Sequence, residues 1–127
     1  THVCQQKSYY SFNMVDKFND FKMCVVGEEI MGIPGVGFVE GMACGCAYIG
    51  QTLGYYEDLG MQEGVHYIGY DGSLDYLKRK IHYYQQAEHQ DELERIARTG
   101  YEYVRTHFNS QNVAECLLNK LKSYIAK

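Results

Sequence analysis

The chain has 127 residues, of which 46% are hydrophobic, enough for one domain that buries about two-thirds of the surface its unfolded form would expose. A net charge of -4 and a pI near 5.7 argue against a nucleic-acid partner, which needs a clustered basic surface. No run approaches the roughly 18 uninterrupted apolar residues of a membrane span, and Thr1 opens the chain without a charged-then-apolar leader; a soluble, cytoplasmic chain cut from something longer is expected.

Cys4, Cys24, Cys44, Cys46 and Cys116 form an odd set without a CxxC pair, so reduced thiols are expected rather than a disulfide framework. Cys44 and Cys46 lack a further His or Cys at ligand spacing on a neighbouring turn. No metal is therefore expected, and the two read as small residues filling a helix-to-strand corner.

Residues 1–12 mix Gln, Ser, Tyr and Phe without a clear period and form an opening segment with room for a short strand. Met14, Val15, Phe18 and Phe21 then recur at helical offsets, and Met23 to Val26, ending at Gly27, reads as a buried strand. Glycines concentrate between Gly32 and Gly50, in a loop that passes into an apolar helix from Phe38 to Ala43 and a second strand from Cys46 to Ile49. The polar stretch Gln51 to Gly64 has room for a helical turn. Val65 to Ile68 reads as a third strand, closed by a turn over Gly69, Tyr70, Asp71 and Gly72.

Ser73 is a good N-cap for a helix that carries Leu74, Leu77, Ile81 and Tyr84 on one face. A second helix from Asp91 to about His107 tolerates Gly100 at about 1 kcal/mol relative to alanine. Asn109 or Ser110 caps the last helix, whose apolar face is Val113, Ala114, Leu117, Leu118, Leu121 and Ile125. This order predicts an α/β fold: a Rossmann-like open parallel sheet with flanking helices, ending in about three consecutive helices. No repeat or linker divides it, so residues 1–127 are expected to be a single domain.

The candidate chemistry lies in the glycine-rich stretch. Gly32, Gly35 and Gly37 let backbone amides approach a ligand, and a helix beginning near Phe38 would turn its free N–H groups toward the same loop, as an anion site requires. Glu40 is the only charge between Glu29 and Glu57 and sits among apolar and small neighbours, where a carboxylate needs a partner. It suits the diol of a ribose, or equally a capping role near a helix N-terminus. A plain turn without ligand is a further reading of the glycines. Gly35-Val36-Gly37 supplies two glycines of a dinucleotide fingerprint, but position 40 is Glu and the loop starts late, so that reading fails; no phosphate-loop motif occurs either. Thr52 and Gly54 face the same sheet edge. The histidines are scattered; His66 and His82 sit beside core positions and read as packed rather than catalytic, and His107 reads as ending a helix. The tyrosine pairs read as bridging core and solvent by default, with stacking on sugars or bases as the functional alternative.

Val39-Glu40-Gly41-Met42-Ala43-Cys44-Gly45-Cys46, followed by an apolar strand, resembles the E-A-M-A-C-G-x-P segment of group 1 glycosyltransferases with the GT-B fold. Glu63 to Tyr70, Leu77 to Tyr84, Glu94 to Gly100 and the helix from Asn109 are similar to the downstream segments of that family, so the resemblance spans roughly residues 14–126. It implies the C-terminal, nucleotide-sugar-binding domain of such an enzyme. The donor diphosphate would meet the amides of Gly35, Val36, Gly37 and Phe38, beside Gly32 and Thr52. Its ribose diol would meet Glu40, which matches the second glutamate of an E-x7-E motif.

The first glutamate of that motif falls at Gly32, and neither Glu28 nor Glu29 has the matching spacing to Glu40. The family's proline after C-G-x is absent, and no recognisable basic donor motif surrounds Lys7, Lys17 or Lys22. The resemblance further implies transfer of a hexosyl group with retention, without a metal or other cofactor. Acceptor groups and any general base would come from an N-terminal domain that this chain does not contain, so that the chain alone is expected to be inactive. Catalytic residues are not assigned. The alternative is a catalytically inactive Rossmann-like interaction module, motivated by Gly32 and the missing basic motif.

Overall fold

The computed structural model describes residues 12–126, so all of the expected opening segment but Phe12 lies outside the described residues, as do Cys4 and Lys7. Asn13 accepts a hydrogen bond from the Val15 amide and starts helix α1 (Met14–Asn19). Strand β1 (Met23–Val25) follows, then a loop containing a 3-10 turn (Ile30–Gly32), helix α2 (Gly37–Ala43) and strand β2 (Ala47–Gln51). Helix α3 (Gly54–Asp58), strand β3 (Ile68–Tyr70), helix α4 (Leu74–Gln85), a 3-10 turn (Ala87–His89), helix α5 (Gln90–His107) and helix α6 (Ser110–Ile125) complete the order. Among the described residues the three strands form one open sheet, β1-β2-β3, parallel throughout. This is the expected α/β architecture, a Rossmann-like parallel sheet that ends in consecutive helices.

Both faces of the sheet are covered, and the alternation along β2 shows how. Tyr48 joins Cys24, Phe38, Met42, Tyr56, Met61, Tyr67 and Val104 on one side. Ala47 and Ile49 join Ile68, Tyr70, Tyr84, Leu93 and Ile96 on the other. Helix α5 serves both clusters, Leu93 and Ile96 with the second and Val104 with the first. Gly100 lies between, and a Cβ there would meet the backbone oxygen of His66 at 2.5 Å, so its helix-propensity cost permits a close approach.

The third strand begins later than expected. The amides of Val65 and His66 both bond to the Gln62 carbonyl, and that of Gly64 to the Tyr67 carbonyl. Residues 62–67 are thereby curled into a turn before the strand, and Gly69 and Tyr70 pair with Gly50 and Gln51 instead of closing a turn. Strand β2 likewise runs on to Gln51, two residues beyond the expected Ile49. At the other end of the chain, the Asn109 side chain caps α6 by accepting from the Asn112 amide. Its apolar face finds no cover among the described residues, with Val113, Leu117, Leu118, Leu121 and Ile125 all exposed.

Candidate functional site

The site candidate grows from the way the chain leaves β1. Pairing of β1 with β2 stops at Val25 and Ile49, whereas β2 stays paired with β3 as far as Gln51 and Tyr70. The amide of Gln51 is taken by a side chain instead, Glu28 Oε1 at 2.8 Å. The same oxygen accepts the Tyr56 phenol at 3.1 Å, and Tyr56 Oη lies 2.6 Å from Tyr48 Oη. Both tyrosines are fully buried, and desolvation pushes each phenol well above its ordinary range, so each keeps its proton. Tyr56 donates to the Glu28 carboxylate, and Tyr48, whose hydroxyl also lies 3.4 Å from the Val26 carbonyl oxygen, abuts the Tyr56 hydroxyl. Charge-assisted bonds of this kind are about twice as strong as neutral ones.

Beyond Glu28 the chain makes a loop that returns to where it left. Glu29 donates to the Ile33 carbonyl at 2.7 Å, and Gly32 to the Glu29 carbonyl at 3.0 Å. Met31 has φ 71° and Gly32 φ 74°; the left-handed region suits the glycine and strains the methionine. Gly32 also packs on the segment after β2, where a Cβ would stand 2.8 Å from Leu53 Cδ1. Gly35 is buried against the Gly27 carbonyl, and Gly37 lies against Val26. These two glycines thus seat the loop on the end of β1, a packing role that the sequence reading did not assign them.

Along this stretch the predicted residues fall into one unit with different exposures. Val36 is 81% exposed, while Phe38 turns its ring into the core, 5.5 Å from the Tyr48 ring and 5.7 Å from that of Tyr56. The Phe38 amide is already bonded to the Gly35 carbonyl at 3.2 Å, and that of Val39 to the Val36 carbonyl at 3.2 Å. No acceptor among the described residues meets the amides of Gly35, Val36 and Gly37. Glu40 lies in the first turn of α2, exposed, its carbonyl accepting the Cys44 amide and its carboxylate making no hydrogen bond or ion pair to any described residue. The partner that its apolar sequence neighbours seemed to require is unnecessary, because the carboxylate points to water.

Thr52 stands apart from this unit. It belongs to a cleft of about 450 Å³ at the carboxyl ends of β2 and β3, shared with Glu63, Gly69, Tyr70, Asp71 and Tyr76. Asp71 Oδ1 accepts the amide and hydroxyl of Ser73, which hold its carboxyl below the ordinary carboxylate value. Among the described residues no group of three or more His, Cys, Asp or Glu side chains could hold a metal ion, and no helix is long and apolar enough to cross a membrane.

Cys24, Cys44, Cys46 and Cys116 are free thiols. Burial, with Cys46 alongside, pushes Cys24 up to about 12, and Cys46 Sγ donates to the Phe18 and Phe21 carbonyls at 3.1 and 3.2 Å. They serve packing at the α1 and α2 corner.

His66 is packed as its sequence position suggested. Its Nδ1 accepts the Gln62 amide at 2.9 Å, and its ring lies 4.5 Å from that of Tyr103. Desolvation, then the charge of His107, lowers its pKa from the ordinary 6.5. The folded chain thus takes up this proton at lower pH than the unfolded chain does, so the contribution is complete above pH 6.5 and is lost as the pH falls below it. Urea unfolding at pH 7.5 and 5.5 is expected to show a larger acid-side loss of stability for the native chain than for His66→Gln; parallel losses would remove His66 as the source.

Glu28 and its two tyrosines are the residues that spacing did not single out. Their available signal was a carboxylate directly after a strand and its glycine, but nothing local ties position 28 to positions 48, 51 and 56. A family model described as glycosyl transferase-like matches residues 2–119, while no curated protein and no solved structure matches. That match covers all three strands, the glycine loop and Glu40, and stops within α6. The chain belongs to the glycosyl transferase-like family.

Proposed function

We propose that this chain is the donor-binding domain of a nucleotide-sugar-dependent glycosyltransferase of the GT-B kind, acting on an acceptor held largely by a second, N-terminal domain. The observation that carries the reading is the set of amides at Gly35, Val36 and Gly37, which have no acceptor among the described residues and lie at the carboxyl edge of a parallel sheet beside an unpartnered carboxylate. Ligands of open parallel sheets bind at that edge. Successive unpaired amides suit a diphosphate, and they would stabilise the charge that develops on it as the sugar departs, with no metal required. Glu40 accepts the ribose diol in this reading, and Phe38 supports the loop from the core side. Transfer of a hexosyl group with retention belongs to the same proposal.

Calorimetric titration of UDP, GDP and ADP into the protein is expected to give binding by at least one of them. Glu40→Ala is expected to weaken that nucleotide about tenfold, equivalent to about 1.4 kcal/mol, without a change in unfolding free energy. No binding at millimolar concentration by any of the three would remove the donor-site reading. It would favour an inactive interaction module instead, for which the exposed apolar loop residues Ile30 (88%) and Met31 (80%) offer a surface.

A further inference from the structure

We propose that Glu28 is the positioning residue of this site, holding the glycine loop at the end of β1 in the conformation that receives the donor diphosphate. The proposal rests on the donor-binding reading above. Its basis is where the sheet pairing ends. Beyond Val25 the first strand no longer pairs with β2 by backbone, and the Tyr48 hydroxyl reaches the Val26 carbonyl at 3.4 Å, yet the chain must leave the sheet at a fixed angle for Gly35 and Gly37 to come back onto Gly27 and Val26. Glu28 supplies the missing contact, one carboxylate oxygen holding both the Gln51 amide at the end of β2 and the Tyr56 phenol on α3.

Because Tyr56 is itself within 2.6 Å of Tyr48, the anchor extends into the core that also receives the Phe38 ring. The outgoing limb of the loop is therefore tied to β2 and α3, and the returning limb is tied through Phe38 to the same two tyrosines. Between the limbs lie the strained Met31 turn and the amides of Gly35, Val36 and Gly37, which have no acceptor among the described residues. If Glu28 lets go, the two limbs lose their common reference, and the amides of Gly35, Val36 and Gly37 shift from where they would meet the diphosphate.

Glu28→Gln keeps an oxygen that can accept both bonds, whereas Glu28→Ala removes it and Glu28→Asp draws it back by one methylene. The measurements are hydrogen exchange across the ligand-free protein and nucleoside diphosphate titration of each variant. In Glu28→Ala, the bonded amides of Gln51, Glu29, Gly32 and Phe38 are expected to exchange at least tenfold faster while those of α5 are unchanged, and the nucleotide is expected to bind at least tenfold more weakly. Glu28→Gln is expected to stay within threefold of the native chain in both, and Glu28→Asp to follow the alanine variant, which keeps the test open if alanine prevents folding. Unchanged loop exchange in both the alanine and aspartate variants overturns the positioning role. So does a native chain that binds nucleotide measurably but no better than these variants. A native chain that binds no nucleotide, with a loop that still loosens in them, overturns the donor reading and confines Glu28 to anchoring the loop.

Discussion

Gly41→Val is expected to lower the unfolding free energy by about 3 kcal/mol, at the upper end of the cost of overpacking a core, and the midpoint of thermal unfolding by about 10 °C. Gly41 is buried in the middle of α2 where the helix crosses β1, and a Cβ alone would stand 2.5 Å from Cys24 Sγ and 3.3 Å from Phe18 Cε1. Cys24 has little room to withdraw, since it is buried in β1 with Cys46 beside it, and Cys46 Sγ is occupied by the Phe18 and Phe21 carbonyls. A branched side chain adds a second atom on Cβ and a stiff χ1 in a helix.

Gly41→Ala should cost about 1–2 kcal/mol in the native background and much less in Cys24→Ala, because the smaller residue vacates the contested space; a coupling of about 1 kcal/mol or more is expected in urea unfolding. Additive effects would show that Cys24 does not set the limit. The pair also explains a departure from the group 1 pattern, in which alanine follows the second glutamate: here the thiol on β1 occupies the volume that an alanine methyl would need.

Much of the architecture was legible because it depends on local periodicity. Ser73, Asn109 and the spacing of Leu93, Ile96 and Val104 mark their helices without reference to anything distant in sequence. The strand limits were less legible. Gly69 and Tyr70 look like a turn beside Asp71 and Gly72, but β2 offers them paired positions at Gly50 and Gln51, and tertiary pairing overrides local turn preference. Nor does composition reveal a tyrosine core. Tyr48, Tyr56 and Tyr67 are fully buried rather than spanning core and solvent, because the phenols of Tyr48 and Tyr56 satisfy one another and Glu28. Within the candidate site, the order of Gly32, Gly35, Gly37 and Glu40 pointed to one loop and helix. The division of labour among the glycines, two seating the loop and one turning it, depends on Val26, Gly27 and Leu53, which only folding brings near.

Gly35→Ala is expected to weaken nucleoside diphosphate binding about 30- to 100-fold, or about 2–3 kcal/mol, while the global unfolding free energy falls by only about 1 kcal/mol. The added methyl carbon would lie 2.9 Å from the Gly27 carbonyl oxygen and 3.3 Å from Val26 Cγ1. The first of these is backbone at the end of β1, and it cannot swing aside as a side-chain tip can. Glu28, next in sequence, is held by the Gln51 amide and the Tyr56 phenol, so the outgoing limb stays and the returning limb must yield. Displacement there moves the amides of Gly35, Val36 and Gly37, the groups assigned to the diphosphate, and leaves the two core clusters in place. Gly27→Ala is the matched control. A Cβ at Gly27 meets nothing within 4 Å, so the same methyl group on the opposite limb should change stability by less than about 0.5 kcal/mol and binding by less than about threefold. Calorimetry of the two variants side by side separates the possibilities. Loss in Gly35→Ala alone ties the ligand to the returning limb, whereas equal losses in both would mean that any change at the loop neck suffices and that the contact with Gly27 is not what orders the site.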